Sequence, residues 1–515
     1  MSTSRNANGG TAAAINSRGF FGHPIGLSTL FFTEMWERFS FYGIRPLLVL
    51  FMSAAVMQGG FGFERKQASA IVGLYASSVY LASLPGGWVA DRLLGLRRSI
   101  LCGAALITLG HFSIGTSAFF HGKAPFFCGL ILIVLGTGLL KPNISAIVGD
   151  LYPEGGARRD AGFSIFYMGI NGGAVLGQTV SGFLGEGLGW HFGFGAAGVG
   201  MLIGLIFFAI RSRTTLGDLG LEVARHPDPA IHARQQLTIK LSLAGGLTLL
   251  VLVAVLAAVG IIHIDPQAIG EKFAYILVTL AILYFAYIFI FGGLNSEEKK
   301  RVVVIAILFA FAAVFWSAFE QAPTSLNLFA KDFTNRSLGS WTIPATWFQN
   351  VNSFFIVLLA PVFAAIWTSL DRRRKNPSSP AKFSIGLLAG GVGFGIMILA
   401  AYSVLSTNGA VKVSPMWLVV SYICQTVGEL CLSPVGLSSM TKLSPRKFVG
   451  QMMGVWFMAT ALGNLIAGLV GGNVDPEKLD QMPKLFIVTT GSLVVAGILL
   501  LVMVPFIKKL MPKDN

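Results

Sequence analysis

The sequence predicts an all-α integral membrane protein whose fourteen spanning helices form two six-helix bundles with two extra helices between them. Three observations predict it. The 515 residues are 54% hydrophobic and only 12% charged, against about 25% charged in a soluble chain, and the mean hydropathy is +0.70. Apolar runs of bilayer-spanning length recur along the chain. The basic residues alternate so as to assign each loop to one side of a membrane. Together these exclude a soluble enzyme, a disordered chain and a secreted disulfide scaffold.

A spanning helix needs about 20 mostly apolar residues. Residues 67–90, 161–185, 241–262, 273–296, 341–370, 383–411 and 448–474 meet this without a single charge. Runs with a few embedded charges complete the set, with centres near 40, 79, 107, 136, 172, 200, 250, 282, 314, 356, 394, 428, 459 and 496. Residues 1–19 are polar and lack an apolar signal core, so the first span is expected to stay in the mature protein. The organisation that follows is a cytoplasmic tail over 1–23, a six-helix bundle over 24–211 and a cytoplasmic linker over 212–240. Two inserted helices over 241–296, a second bundle over 297–510 and a tail over 511–515 complete it. The linker is punctuated by His226-Pro227-Asp228-Pro229. The inserted helices hold almost no charge and read as lipid-facing.

Charge supplies the orientation. The formal net charge is +15, which in a soluble chain would suggest a nucleic-acid partner. Here no such partner is expected, because 26 of the Lys and Arg residues fall on the side that holds both termini, 9 on the other, and 3 within spans. That asymmetry places both termini in the cytoplasm. The four cysteines, Cys102, Cys128, Cys424 and Cys431, lie in apolar segments at spacings that fit no metal site, and are expected to be buried thiols.

An internal repeat supports two halves. Pro142, followed by Asp150-Leu151-Tyr152-Pro153, is echoed by Pro434, followed by Lys442-Leu443-Ser444-Pro445, with both proline pairs displaced by 292 residues. Ala90-Asp91-Arg92 is echoed more weakly by Leu370-Asp371-Arg372. Two parallel six-helix repeats with a site between them is a transporter architecture, that of major facilitator carriers.

Charges inside spans cost roughly 2.5–3.5 kcal/mol each and mark function by default. The first span carries Glu34, Glu37, Arg38 and Arg45; the fourth carries Lys141, the ninth Glu320 and the twelfth Glu429. At about 100° per residue, Glu34, Arg38 and Arg45 share one stripe, with Glu37 to its side. Glu34 and Arg38 are also an i,i+4 pair, so internal neutralisation is the plainer reading of part of this set. The two-half organisation suggests cross-half gating salt bridges, Arg45 with Glu320 and Lys141 with Glu429, that a proton or a charged substrate would release. Prolines follow the three later charges: Pro142, Pro323 and Pro434. The run Asn171-Gly172-Gly173-Ala174-Val175-Leu176-Gly177 allows close helix approach. None of the seven histidines adjoins the charged set and most read as interfacial, so a proton switch is expected to run on carboxylates.

Glu34-x-x-Glu37-Arg38-Phe39-x-x-Tyr42-Gly43 resembles the ExxERFxYYG signature of the proton-dependent oligopeptide transporter family, with Phe41 where the signature's first Tyr stands. Phe166-Tyr167-x-x-Ile170-Asn171-Gly172 is similar to the family's span-five motif, with Ala174 in place of a Ser. Phe315-Trp316-x-x-Phe319-Glu320-Gln321 and Gly428-Glu429-x-x-x-Ser433-Pro434 resemble two further signatures. Gly86-Gly87-x-x-Ala90-Asp91-Arg92 with Gly95, Arg97 and Arg98 resembles the broader major-facilitator loop motif. The likeness runs from about residue 31 to the last span.

The resemblance implies a major facilitator fold of the bacterial type and a proton-coupled symporter of di- and tripeptides in the bacterial inner membrane. It implies alternating access, function as a monomer, and no cofactor beyond the proton gradient. It ties Glu34, Glu37, Arg38 and Glu320 to proton coupling. It assigns substrate binding to Arg45, Lys141, Glu320, Tyr42, Tyr80, Asn171, Trp316, Asn352, Glu429 and Trp456. A same-fold carrier of nitrate or an organic acid is the alternative, and Glu320 favours an amine-bearing substrate over it. No HExxH, nucleophile or metal constellation appears in the spans, so an enzyme is not expected.

Overall fold

The computed structural model describes residues 19–117, 123–154, 156–223, 228–259, 261–262 and 264–511. Most of the expected tail over 1–23, residues 512–515, Pro227 and the histidines at 121, 226 and 263 lie outside these.

Among the described residues there are fourteen long helices. In chain order they are α1 (Gly26–Ser53), α2 (Arg65–Val89), α3 (Leu96–Thr116), α4 (Ala124–Asp150), α5 (Gly156–Gly187), α6 (Trp190–Thr215) and α7 (Pro229–Ala258). They continue with α8 (Pro266–Phe291), α9 (Ser296–Phe333), α10 (Asn350–Arg372), α11 (Ser379–Ser406), α12 (Met416–Leu443), α13 (Val449–Gly471) and α14 (Gln481–Leu510). Twelve are long and apolar enough to cross a membrane. The other two fall short for visible reasons: α1 carries Glu34, Glu37, Arg38 and Arg45, and α5 is rich in glycine and opens on Arg158, Arg159 and Asp160.

Four expectations are adjusted. Helix α7 begins at Pro229, so helix occupies much of the expected linker over 212–240. The apolar run over 341–370 is not helical throughout. It opens with a two-residue hairpin strand at Trp341–Thr342 and a 3-10 turn at Ala345–Gln349 before α10 starts. Cys102 and Cys128 are exposed on their helices rather than buried, while Cys431 is buried. His111 is not interfacial: it lies fully buried within α3.

The chain divides by contacts into two units. The first contains the chain up to Ile44, Leu81–Gly185 and His191–Asp265; the second contains Arg45–Tyr80, Glu186–Trp190 and Pro266 onward.

Within the first unit, backbones approach through glycine. A Cβ at Gly103 would lie 2.6 Å from the Gly136 carbonyl and one at Gly110 the same distance from Gly129. α3 and α4 thus pack with almost no side chain between them. On α5, Gly173 and Gly177 sit one turn apart against the Met35 and Phe39 carbonyls of α1, where a Cβ would come within 2.2 and 2.1 Å. This glycine row seats the charged stretch of α1.

Within the second unit, α11 packs on α12 by the same device, at Gly386 and Gly428. Gly428 is displaced from Gly136 by the same 292 residues as Pro434 from Pro142, so the repeat extends to the packing contacts. Helix α9 opens on a reciprocal cap. The Asn295 side chain accepts from the Glu298 N–H at 2.8 Å, and the Glu298 carboxylate accepts from the Asn295 N–H at 3.0 Å. Its regular turns end at Phe319. A π-helical turn over Ala322–Leu326 follows, begun by Pro323, and the helix resumes over Asn327–Phe333. Proline there removes a backbone donor, and the wide turn absorbs the break.

Candidate functional site

In the first unit, α1 buries Glu34, Glu37 and Arg38, each no more than 3% exposed. Arg38 Nε lies 3.0 Å from Glu34 Oε1 and pairs also with the Glu37 carboxylate. Two acids therefore share one base, and the trio carries one excess negative charge that a single proton cancels. Glu34 Oε2 and Glu37 Oε1 are buried and accept no hydrogen bond among the described residues, which leaves a place for that proton. The Arg38 guanidinium also lies 5.3 Å from the Phe41 ring centroid. The ring at this position stacks on the cation, a role that needs no hydroxyl. Lys141 lies on α4 just before Pro142.

In the second unit the broken α9 presents Glu320. The regular helix stops one residue earlier, so the carboxylate stands at a helix end next to the π-helical turn. Arg45 Nη2 pairs with Glu320 Oε2 and donates to Asn464 Oδ1 of α13 at 2.7 Å. The Asn464 amide is held with its oxygen toward Arg45 because Nδ2 donates to the Thr460 carbonyl at 3.0 Å. Asn327 Nδ2, beyond the turn, donates to the Pro46 carbonyl at 2.7 Å. The break in α9 is thus tied to the proline-bearing end of α1. Gln321 completes the set, donating to Thr489 Oγ1 at 3.2 Å and accepting from Ser325 at 2.9 Å.

The charged stripe of α1 is therefore split by position: Glu34, Glu37 and Arg38 pair among themselves, while Arg45 engages Glu320. Glu429, on α12, accepts from Asn352 Nδ2 of α10 at 3.0 Å, and the same nitrogen lies 3.0 Å from Thr426 Oγ1. Trp316 is buried and its indole Nε1 has no hydrogen-bond acceptor among the described residues. A buried donor without an acceptor is rare in a finished core and common where a ligand or water belongs. Trp456 is buried against Phe383 and Gly436. Asn171, in the first unit, turns its Nδ2 to the Tyr167 carbonyl at 3.0 Å. Tyr42 and Tyr80 are half-buried.

A second set of charges in the second unit carried no signal in the sequence. Arg65 Nη1 lies 2.5 Å from Asp332 Oδ2 and 3.1 Å from the Val474 carbonyl, with Asp475 at 3.9 Å from Nε. The Glu186 carboxylate accepts from the Ala345 and Thr346 N–H groups at 3.0 Å each, capping the 3-10 turn, with Lys331 and Arg336 both at 3.5 Å. Burial holds the Arg336 guanidinium below its ordinary pKa, against the opposing pull of Glu186 and Asp332. These residues lie at span ends, where charge is ordinary.

Comparisons with known proteins agree with one another. The family model described as the POT family matches residues 97–483. A peptide transporter of Yersinia enterocolitica, YePEPT, is 49% identical over 512 residues, covering 99% of this chain and 98% of that protein. A di-/tripeptide transporter of Lactococcus lactis subsp. cremoris is 37% identical over 504 residues, covering 96% and 97%. A crystal structure of a peptide transporter, POT, in complex with sulfate aligns with a TM-score of 0.89 at 40% identity, covering 98% of this chain and 99% of that one.

Proposed function

This multi-pass membrane protein with a major facilitator fold belongs to the POT family, and from that premise we propose that it is a proton-coupled symporter importing di- and tripeptides by alternating access. The observation that carries the reading is the buried pairing of Arg45 with Glu320, supported by Asn464. A short peptide brings a fixed carboxylate and a fixed ammonium whatever its side chains. The carboxylate competes for Arg45 and the ammonium for Glu320, so a zwitterion replaces a salt bridge with two of its own at little net electrostatic cost. An anion such as nitrate satisfies Arg45 but offers Glu320 no cation, so that carboxylate must be neutralised by a proton before Arg45 is released. That argues against the alternative cargo.

Roles follow from chemistry. Arg45 and Lys141 receive the peptide carboxylate and Glu320 its ammonium. Trp316 Nε1 donates to a peptide carbonyl. Tyr42, Tyr80, Asn171, Asn352 and Trp456 line the cargo, and aromatic faces tolerate varied side chains. The carboxylates of Glu34 and Glu37 take up the coupled proton and Arg38 holds them in place as their shared cation, with Glu320 as a further carboxylate on the proton's path. Lys141 with Glu429 is the second gating pair. No chemical step on the cargo is involved, and the proton gradient is the only driving input. The chain works as a monomer in the bacterial inner membrane with both termini cytoplasmic, as two six-helix bundles with residues 241–296 inserted between them.

The test is uptake of radiolabelled dialanine into proteoliposomes, with excess unlabelled peptides, nitrate or organic acids as competitors. Uptake stimulated by an inward proton gradient and blocked by di- and tripeptides alone is expected. Blockade by nitrate and not by peptides would overturn the reading.

A further inference from the structure

The second unit contains a charged cleft that the roles above do not use. It has a volume of about 400 Å³ and is lined by Glu64, Arg65, Lys66, Asp475, Glu477 and Lys478. Three are acids and three are bases: Glu64 ends the loop before α2, Arg65 and Lys66 open α2, and Asp475, Glu477 and Lys478 lie on the loop before α14. Among the described residues no ion pair forms to Glu64, Lys66, Glu477 or Lys478, although opposite charges stand side by side in the sequence. Arg65 and Asp475 are each about one-fifth exposed and only loosely paired, at 3.9 Å. The floor beneath them is rigid. A Cβ at Gly472 would lie 2.3 Å from the Lys66 Cα, and one at Gly73 would lie 2.7 Å from the Gly468 Cα. α2 and the end of α13 are therefore locked backbone to backbone, and the two charged segments keep their spacing.

A cleft of this kind selects by charge pattern. A plain anion meets three carboxylates in it and a plain cation meets three bases, so each is repelled as much as it is drawn. A small molecule carrying both charges a few ångströms apart satisfies one group of each sign at once. With Phe63 and Pro476 in the lining as well, the charged groups predominate and little apolar surface is left to select one side chain. We propose that this cleft is a docking site for zwitterionic short peptides, at the end of the molecule that faces outward in the orientation above, occupied before the buried site. The inference rests on the peptide-transport reading. It adds a consequence: Arg65 belongs both to the cleft and to the contact with Asp332 on α9, so a docked carboxylate competes with Asp332 for the same guanidinium. Cargo arrival then loosens a contact that ties α2 to the far end of the broken helix.

The test measures initial rates of dialanine uptake against concentration, at low and at high salt, for the wild type and for the double variants Lys66→Gln/Lys478→Gln and Glu64→Gln/Glu477→Gln. Exposed ion pairs are individually weak, so the expected effect of losing two is a rise in KM of about three- to tenfold. The maximal rate should stay within about twofold. Wild-type KM should also rise with salt, and the variants should lose most of that dependence. Unchanged KM and salt dependence in both variants would overturn the docking site while leaving peptide transport intact. So would a fall in maximal rate at constant KM, which would assign these charges to helix packing. A wild type that takes up no dipeptide would overturn the transport reading and the docking site with it.

Discussion

Two acids and one base in a dehydrated stretch of α1 leave one negative charge that a proton cancels. Coupling should therefore fail first at those acids. Glu37→Gln is expected to abolish gradient-driven accumulation of dialanine while keeping peptide counterflow, measured as exchange of labelled for unlabelled peptide. Normal accumulation would remove Glu37 from the proton path. Lys141→Ala should lose uptake altogether, and an unchanged affinity and rate would refute its role in binding. Trp316→Phe keeps an aromatic side chain but removes the buried Nε1 donor together with the five-membered part of the indole. One hydrogen bond is worth about 0.5–1.5 kcal/mol, so KM for dialanine should rise roughly two- to tenfold with little change in maximal rate. The charged members of this set were legible in the sequence because an intramembrane charge has few innocent explanations. The orphan indole donor and the Asn464 contact were not, since Trp and Asn are unremarkable in composition until their partners are seen.

Helices in this protein approach through glycine where function needs a charged helix held still. Gly177→Ala would push a methyl to 2.1 Å from the Phe39 carbonyl and should destabilise by about 1–3 kcal/mol, read as a lower Tm in detergent. Gly172, one of its neighbours in the same run, faces open space, and Gly172→Ala should leave Tm unchanged. Equal losses would show that this packing does not hold α1. The glycine run over 171–177 announced a close contact, although not its partner. Other element boundaries were hidden. The aromatic hairpin and 3-10 turn at 341–349 continue the apolar run of α10, so hydropathy alone merges them. The π-helical turn after Glu320 leaves no trace beyond Pro323. The start of α7 at Pro229 follows the rule that proline is at home in a helix's first turn, but a polar stretch there read as linker.

At the scale of the molecule, the 292-residue repeat seen in two prolines reappears in Gly136 and Gly428, through which α4 meets α3 and α12 meets α11, so the doubled organisation is built into packing. The contact units do not follow the repeat's boundaries, because residues 45–80 and 186–190 pack with the second unit through Arg45, Arg65 and Glu186. Charges at span ends were invisible as structural groups, since the same residues also satisfy the orientation rule. The central claim is that peptide and proton cross together. It is tested most directly by loading vesicles with a pH-sensitive dye and adding dialanine outside with no imposed pH gradient. The account predicts that peptide entry acidifies the lumen in the wild type and that Glu37→Gln removes the acidification. Peptide entry at full rate with no change in lumenal pH would contradict it.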